Sequence, residues 1–179
     1  GFRAKAVRSV IAIIDYQAGN LRSVELAFAR VGARAVITGD PAVIAAADGA
    51  VLPGVGAFAD AAASMEEMGQ MEAVRAAVAG GAPFLGICLG MHLMFEEGVE
   101  GAPQEDDEAS THNARGLAVL PGVVAKMPKV DQKGFSYKVP HVGWNTVVPP
   151  ACQPAEPAAF AFPLFAGIHP GEHFYFTHG

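Results

Sequence analysis

The sequence predicts an α/β protein with a mainly parallel sheet, flanking helices in a flavodoxin-like arrangement and an added antiparallel β layer. Three observations carry this expectation. Between residues 11 and 87, short unbroken apolar runs alternate with stretches of helical periodicity, the pattern of buried parallel strands and their crossover helices. The runs end on Asp15, on Pro53-Gly54-Val55-Gly56 and on Cys88. Ligands in such sheets sit beyond the carboxyl ends of the strands, so three loops should converge on one site. From Gly116 onward the segments become short, β-rich and separated by prolines and glycines, which reads as an antiparallel layer on the same domain.

The elements follow in order. Ile11-Ala12-Ile13-Ile14 is the first strand. Asn20 can cap a helix that places Leu21, Val24, Phe28 and Val31 on one face, and Gly32 stops it. Ala35-Val36-Ile37 begins the second strand. Asp40-Pro41 opens a short helix through Val43 and Ile44, with aspartate as N-cap and proline in the first turn. Ala50-Val51-Leu52 is the third strand. Helical patterns cover Asp60–Met68 and Met71–Ala79, the second ended by Gly80-Gly81. Pro83–Ile87 is the fourth strand, and a further helix is expected over Met91–Glu96. Gly98–Arg115 reads as a polar loop. Strand character returns at Val123-Val124, Val139, Thr146–Val148 and Phe174–Phe176, and Pro149–Ala159 reads as a surface loop.

Composition narrows the function classes. A chain of 179 residues suits one domain, here 11–179, after an N-terminal extension over 1–10. No apolar stretch approaches the roughly 18 residues of a membrane span. The basic start GFRAKAVRSV lacks the apolar core of a secretory signal. A net charge of −6 argues against nucleic acid as a main partner. Its acidic run, Glu105-Asp106-Asp107-Glu108, is more simply a solvated loop than a site. Cys88 and Cys152 give neither metal-ligand spacing nor a disulfide framework, and a free thiol fits a reducing, cytoplasmic setting. Neither metal nor cofactor is expected.

The most informative segment is Gly86-Ile87-Cys88-Leu89-Gly90. A strand that ends on Gly-x-Cys-x-Gly and turns directly into a helix is a nucleophile elbow with cysteine in the serine position. Side chains at 86 or 90 would collide across that turn. A helix start favours the thiolate, and the amide of Leu89 is placed to donate to an oxyanion. On the pentapeptide alone, a buried cysteine in a glycine-rich βα turn stays open.

Together, IDYQAGNL, LPGVGAF and GICLGM resemble the class I (triad-type) glutamine amidotransferases. Pro140-His141-Val142-Gly143-Trp144-Asn145 and Phe174-Tyr175-Phe176-Thr177-His178 resemble, more specifically, the glutaminase subunits of imidazole glycerol phosphate synthase in histidine biosynthesis. The resemblance runs from about residue 11 to 179 and implies an amidotransferase-like fold with glutamine as substrate. It further implies that Cys88 attacks the glutamine carboxamide, that Val55 and Leu89 offer backbone amides to the oxyanion, and that Gly54, Gly56 and His92 line the substrate site. The implied partner is a (β/α)8-barrel cyclase, bound as a heterodimer and fed with ammonia, which Asn20, His141, Trp144, Asn145 and Tyr175 would face. Trp144 taken alone is as readily a core residue.

Two departures matter. The family carries a histidine and a glutamate in a His-Pro-Glu motif some tens of residues after the FYF segment, and residues 1–179 hold none there. His169-Pro170-Gly171-Glu172 precedes that segment, has one residue too many and reads as a turn into a strand. The chain is therefore expected to lack the general base and to be C-terminally incomplete. His92 stands where the family usually has glutamine, and is expected to be a pocket contact rather than a surrogate base. Two other functions remain: a catalytically silent docking or scaffold form, and a glutaminase of another pathway such as vitamin B6 synthesis, against which PHVGWN speaks.

Overall fold

The computed structural model describes residues 9–103, 112–148 and 165–179. These belong to two compact units, Gly1–Lys126 and Met127–Gly179. In the first unit, β1 (Val10–Ile14), β2 (Arg34–Thr38), β3 (Gly49–Gly54) and β4 (Phe84–Cys88) form an all-parallel sheet in the order β2-β1-β3-β4. The helices α1 (Leu21–Arg30), α2 (Pro41–Ala46), α3 (Phe58–Glu67) and α4 (Gln70–Ala79) alternate with or follow these strands, as the sequence pattern predicts.

The core lies against one face of that sheet. Ala12, Ile14 and Leu52 from the strands pack with Ile44, Phe58, Met65, Met71 and Val74 from α2, α3 and α4. On the opposite face Ile13 and Val51 are buried, while Leu85 and Ile87 of β4 are exposed. The stripe expected on α1 is only half-covered. Leu21, Val24 and Phe28 are half-buried, and Val31, which lies past the last helical residue, is 78 % exposed.

Capping follows the expected chemistry. Asn20 Oδ1 accepts from the Ser23 amide at 3.3 Å at the start of α1, and Asp40 Oδ1 accepts from the Ala42 amide at 2.8 Å at the start of α2. Gly32, at φ +75°, takes the left-handed conformation that ends α1. Gln70 is wholly buried, and its Nε2 donates to the carbonyls of Asp15 (2.8 Å) and Gly39 (3.0 Å). One side chain thereby ties together the carboxyl ends of β1 and β2, where the site begins.

The structure corrects the expectation of a helix over Met91–Glu96. Helix α5 is a single turn, Leu89–His92, and Phe95–Gly98 is a strand, β5. The carbonyls of Leu93 and Met94 accept the amides of Leu117 and Leu120, so the chain leaves the helix to pair with a segment more than twenty residues on. The resulting sheet, β6-β5-β7, joins β5 antiparallel to β6 (Ala114–Arg115) and parallel to β7 (Leu120–Val124). Gly98–Arg115 is thus not loop throughout. Arg75 of α4 donates to the carbonyls of Gly116 and Leu117, both at 3.0 Å, and fastens this sheet to the core.

In the second unit, β8 (His141–Thr146) pairs antiparallel with β9 (His173–His178). The strand expected over Thr146–Val148 lies earlier, on the PHVGWN segment, because the pairing runs from His141↔His178 to Thr146↔His173. His169–Glu172 is the expected turn into a strand: the His169 amide donates to Glu172 Oε1 at 3.1 Å, and the Glu172 amide to the His169 carbonyl at 3.1 Å. The stretch 1–8, the acidic run at 105–108 and the whole Pro149–Ala159 stretch with Cys152 lie outside the described residues. No helix among the described residues is long and apolar enough to cross a membrane.

Candidate active site

Cys88 is the last residue of β4 and the N-cap of α5, at φ +54° and ψ −118°. A side chain adopts that backbone only at a cost of about 1–3 kcal/mol, which the surrounding structure must hold in place. The two flanking glycines show how it is held. A Cβ at Gly86 would lie 2.6 Å from Met91 Cα and 2.7 Å from the Gly90 carbonyl oxygen; one at Gly90 would overlap the Leu52 carbonyl oxygen. The turn therefore closes only with glycine at both positions, and it leaves Cys88 exposed to solvent. These observations answer the question the pentapeptide left open, because a core cysteine would be covered.

Two backbone segments border the thiol. Leu89 is the first residue of α5, where an amide has no acceptor one turn back. Gly54, at the end of β3, is the register partner of Cys88 across the parallel pair, so Val55 and Gly56 leave the sheet beside it. Val55 is exposed and Gly56 takes φ +109°. The loop after β1 reaches the same place, since a Cβ at Gly19 would sit 3.5 Å from Gly54 Cα and 3.5 Å from the Pro53 carbonyl oxygen. The three strand ends converge as the pattern predicts. Asp15 itself is taken up locally, its Oδ1 accepting the Gln17 amide at 2.8 Å.

Sequence reasoning missed Tyr16. It is 1 % exposed, and its hydroxyl has no hydrogen-bond partner in the structure. Oη fills the space a Cβ at Gly54 would need, with Leu89 Cβ on the far side of that space at 3.2 Å. Burial, and then the nearby charge of Cys88, push the phenol up to about 12. The available signal was a large aromatic directly after a strand whose end faces a glycine-rich turn.

His92 closes α5 and is half-buried. Two concavities elsewhere in the first unit, one around Ser9, Gly32 and Arg34 and one around Glu66, Arg75 and Arg115, include no residue of this site.

The remaining expected residues divide. Asn20 caps α1 in the first unit. On the hairpin of the second, Trp144 and Tyr175 are register partners whose rings meet edge to face at 5.6 Å, and both are exposed, as is Val142 on the same side. His141 and Asn145 alternate to the other side. The His141 ring meets His178, Nδ1 to Nε2 at 3.0 Å, and stacks on Phe176, while Asn145 Oδ1 accepts the Thr146 amide.

The chain as a whole is similar to known amidotransferases. A family model for class-I glutamine amidotransferases matches residues 12–179. The imidazole glycerol phosphate synthase subunit HisH of Syntrophotalea carbinolica is 43 % identical over 170 residues, covering 94 % of this chain and 73 % of that protein. The HisH subunit of Moorella thermoacetica is 44 % identical over 168 residues, 94 % of this chain and 68 % of its own length. A solved glutamine amidotransferase superposes with a TM-score of 0.53 at 19 % identity, over 66 % of this chain and 57 % of that one, and speaks for the fold alone.

Proposed function

This chain belongs to the class-I glutamine amidotransferases, as a HisH glutaminase subunit of imidazole glycerol phosphate synthase in histidine biosynthesis, and from that premise we propose that Cys88 is its nucleophile. The observation that carries the assignment is the positive-φ backbone of an exposed cysteine at a strand-to-helix turn that tolerates only glycine on either side. The Cys88 sulfur attacks the carboxamide carbon of glutamine. The amides of Leu89 and Val55 receive the oxyanion, one from the start of α5 and the other from the segment after β3. Collapse of the tetrahedral adduct releases ammonia and leaves a glutamyl thioester, which water hydrolyses to glutamate. Gly54 and Gly56 keep the backbone beside the thiol free of side chains, and His92 contacts the substrate.

Proton delivery to the departing ammonia and activation of water both need an acid–base group. In this reading no histidine of 1–179 fills that role, and the HPGE segment serves as the turn into β9. The ammonia goes to a cyclase subunit, and the exposed pair Trp144 and Tyr175 is the contact surface, with Asn20 a second contact. His141 and Asn145 join that contact from the other side of the hairpin.

A glutamine-analogue electrophile tests the assignment. With the complete subunit and its cyclase, label is expected on Cys88 far ahead of Cys152, and Cys88→Ala is expected to abolish glutamine-dependent product while leaving ammonia-dependent cyclisation intact. Equal labelling of the two cysteines sinks it.

A further inference from the structure

We propose that Tyr16 is a further residue of the glutaminase site, its buried hydroxyl being the hydrogen-bond donor held for the Cys88 thiolate. The inference rests on Cys88 as nucleophile, but its test does not need glutamine turnover.

A buried hydroxyl without a partner loses its bonds to water and gains nothing, so phenylalanine would serve the core better than tyrosine at this place. Tyr16 cannot swing its hydroxyl into water. Its carbonyl accepts from Ser64 Oγ at 2.8 Å, the residue before it is held by Gln70, and the ring is 1 % exposed. What Oη touches is the place of the missing Gly54 side chain. Gly54 and Cys88 are partners across adjacent parallel strands, whose backbones lie roughly 4.8 Å apart, so the hydroxyl stands beside the strand pair that ends on Cys88. Cys88 is exposed, and its charge acts on the Tyr16 phenol; the proposed role requires that rotation about the Cα–Cβ bond bring the sulfur to the hydroxyl.

The missing partner is accounted for by charge. A neutral thiol is a weak acceptor, whereas bonds to an ionised acceptor are shorter and roughly twice as strong. The O–H···S bond therefore forms when the thiol ionises, and no proton moves along it, because Tyr16 holds its own proton up to about pH 12. When the sulfur attacks and its charge passes to the carboxamide oxygen, the Leu89 and Val55 amides take over and Tyr16 is idle again. Donation to the ground-state thiolate raises the fraction of ionised cysteine and lowers the intrinsic reactivity of each thiolate.

That trade-off supplies the test. In the full subunit carrying Cys152→Ala, iodoacetamide alkylation of Cys88 is followed from pH 5 to 11 with Tyr16 and with Tyr16→Phe. If the hydroxyl shifts thiol ionisation about tenfold, and reactivity changes with the usual Brønsted slope, the variant should react roughly threefold more slowly at low pH and roughly threefold faster at high pH. The two curves cross. Superimposable curves, or a constant factor at every pH, overturn the proposal, since a role in packing alone gives one or the other. A second variant checks the pair from the other end: in Cys88→Ala, Tyr16 is expected to ionise at lower pH than in the parent, read by tyrosinate absorbance. An unchanged titration also overturns it. If both cysteine-specific results hold but the glutamine analogue never labels Cys88, the glutaminase assignment fails and the thiolate donor stands.

Discussion

The two units of this protein bury their apolar side chains in opposite ways. Every buried hydrophobic residue among those described lies between Ala12 and Leu117, in the first unit, where strands and helices cover one another. In the β8–β9 hairpin of the second, Val142, Trp144 and Tyr175 stand 54, 70 and 58 % exposed on one side. The first region is built to hold a strained cysteine in place, which takes a rigid close-packed support. The second spends large aromatic side chains on solvent, which is useful only where something covers them. On the proposed function, chemistry and partner recognition fall to regions that differ in how much they need their own core.

Gly90→Ala should break the first region most severely. The added methyl group meets the Leu52 carbonyl in a completely buried strand, and overpacking of this kind costs about 1–3 kcal/mol or more. A clear drop in the thermal midpoint is expected, together with loss of selective Cys88 labelling. A variant that kept both would mean that the elbow is not held by the contact between α5 and β3. The same assay on Trp144→Ala sharpens the contrast. Removing an exposed ring should leave the thermal midpoint within about 1 °C, yet weaken cyclase binding by about 2 kcal/mol, the scale of an interface hot spot. Titration calorimetry with the cyclase reads the second number. Normal binding by both Trp144→Ala and Tyr175→Ala would remove the hairpin from the interface.

How far the sequence discloses this division depends on the range of the interactions involved. The four parallel strands were legible because each is a local apolar run, and α1 and α2 because Asn20 and Asp40 cap them from adjacent positions. The elbow was legible for the same reason: its strain and both its glycines lie within five residues. The single turn of α5 was not, since Met91, Met94 and Phe95 keep helical spacing, and Phe95–Gly98 becomes a strand only by pairing with residues 114–124. Strand β8 was placed too late because Gly143-Trp144-Asn145 has weak strand character, and its register is set by β9, some thirty residues away. Tyr16 was passed over because its importance comes from Gly54, thirty-eight positions on, and no local pattern announces a hydroxyl in a glycine's empty place.

The smallest expected effect tests the buried end of the comparison through pH. Tyr16 ionises near 12 in the folded protein against 10.0 for an unperturbed phenol. Between those values the folded chain keeps a proton that the unfolded chain has lost, so stability falls as pH rises. The contribution is fully present below pH 10 and is lost as pH passes through 12, at a slope on the order of 1 kcal/mol per pH unit. Tyr16→Phe removes this dependence. Its urea midpoint should equal or exceed the parent's at pH 5, where the Cys88 thiol is protonated and the idle hydroxyl only costs, and should decline less steeply than the parent's from pH 10 to 12. Exposed Tyr175 offers the control, because Tyr175→Phe should leave the alkaline slope as it was. Parallel slopes for Tyr16→Phe and the parent would mean that Tyr16 ionises as freely in the folded chain as in the unfolded one, and the hydroxyl would then not be sealed beneath Gly54.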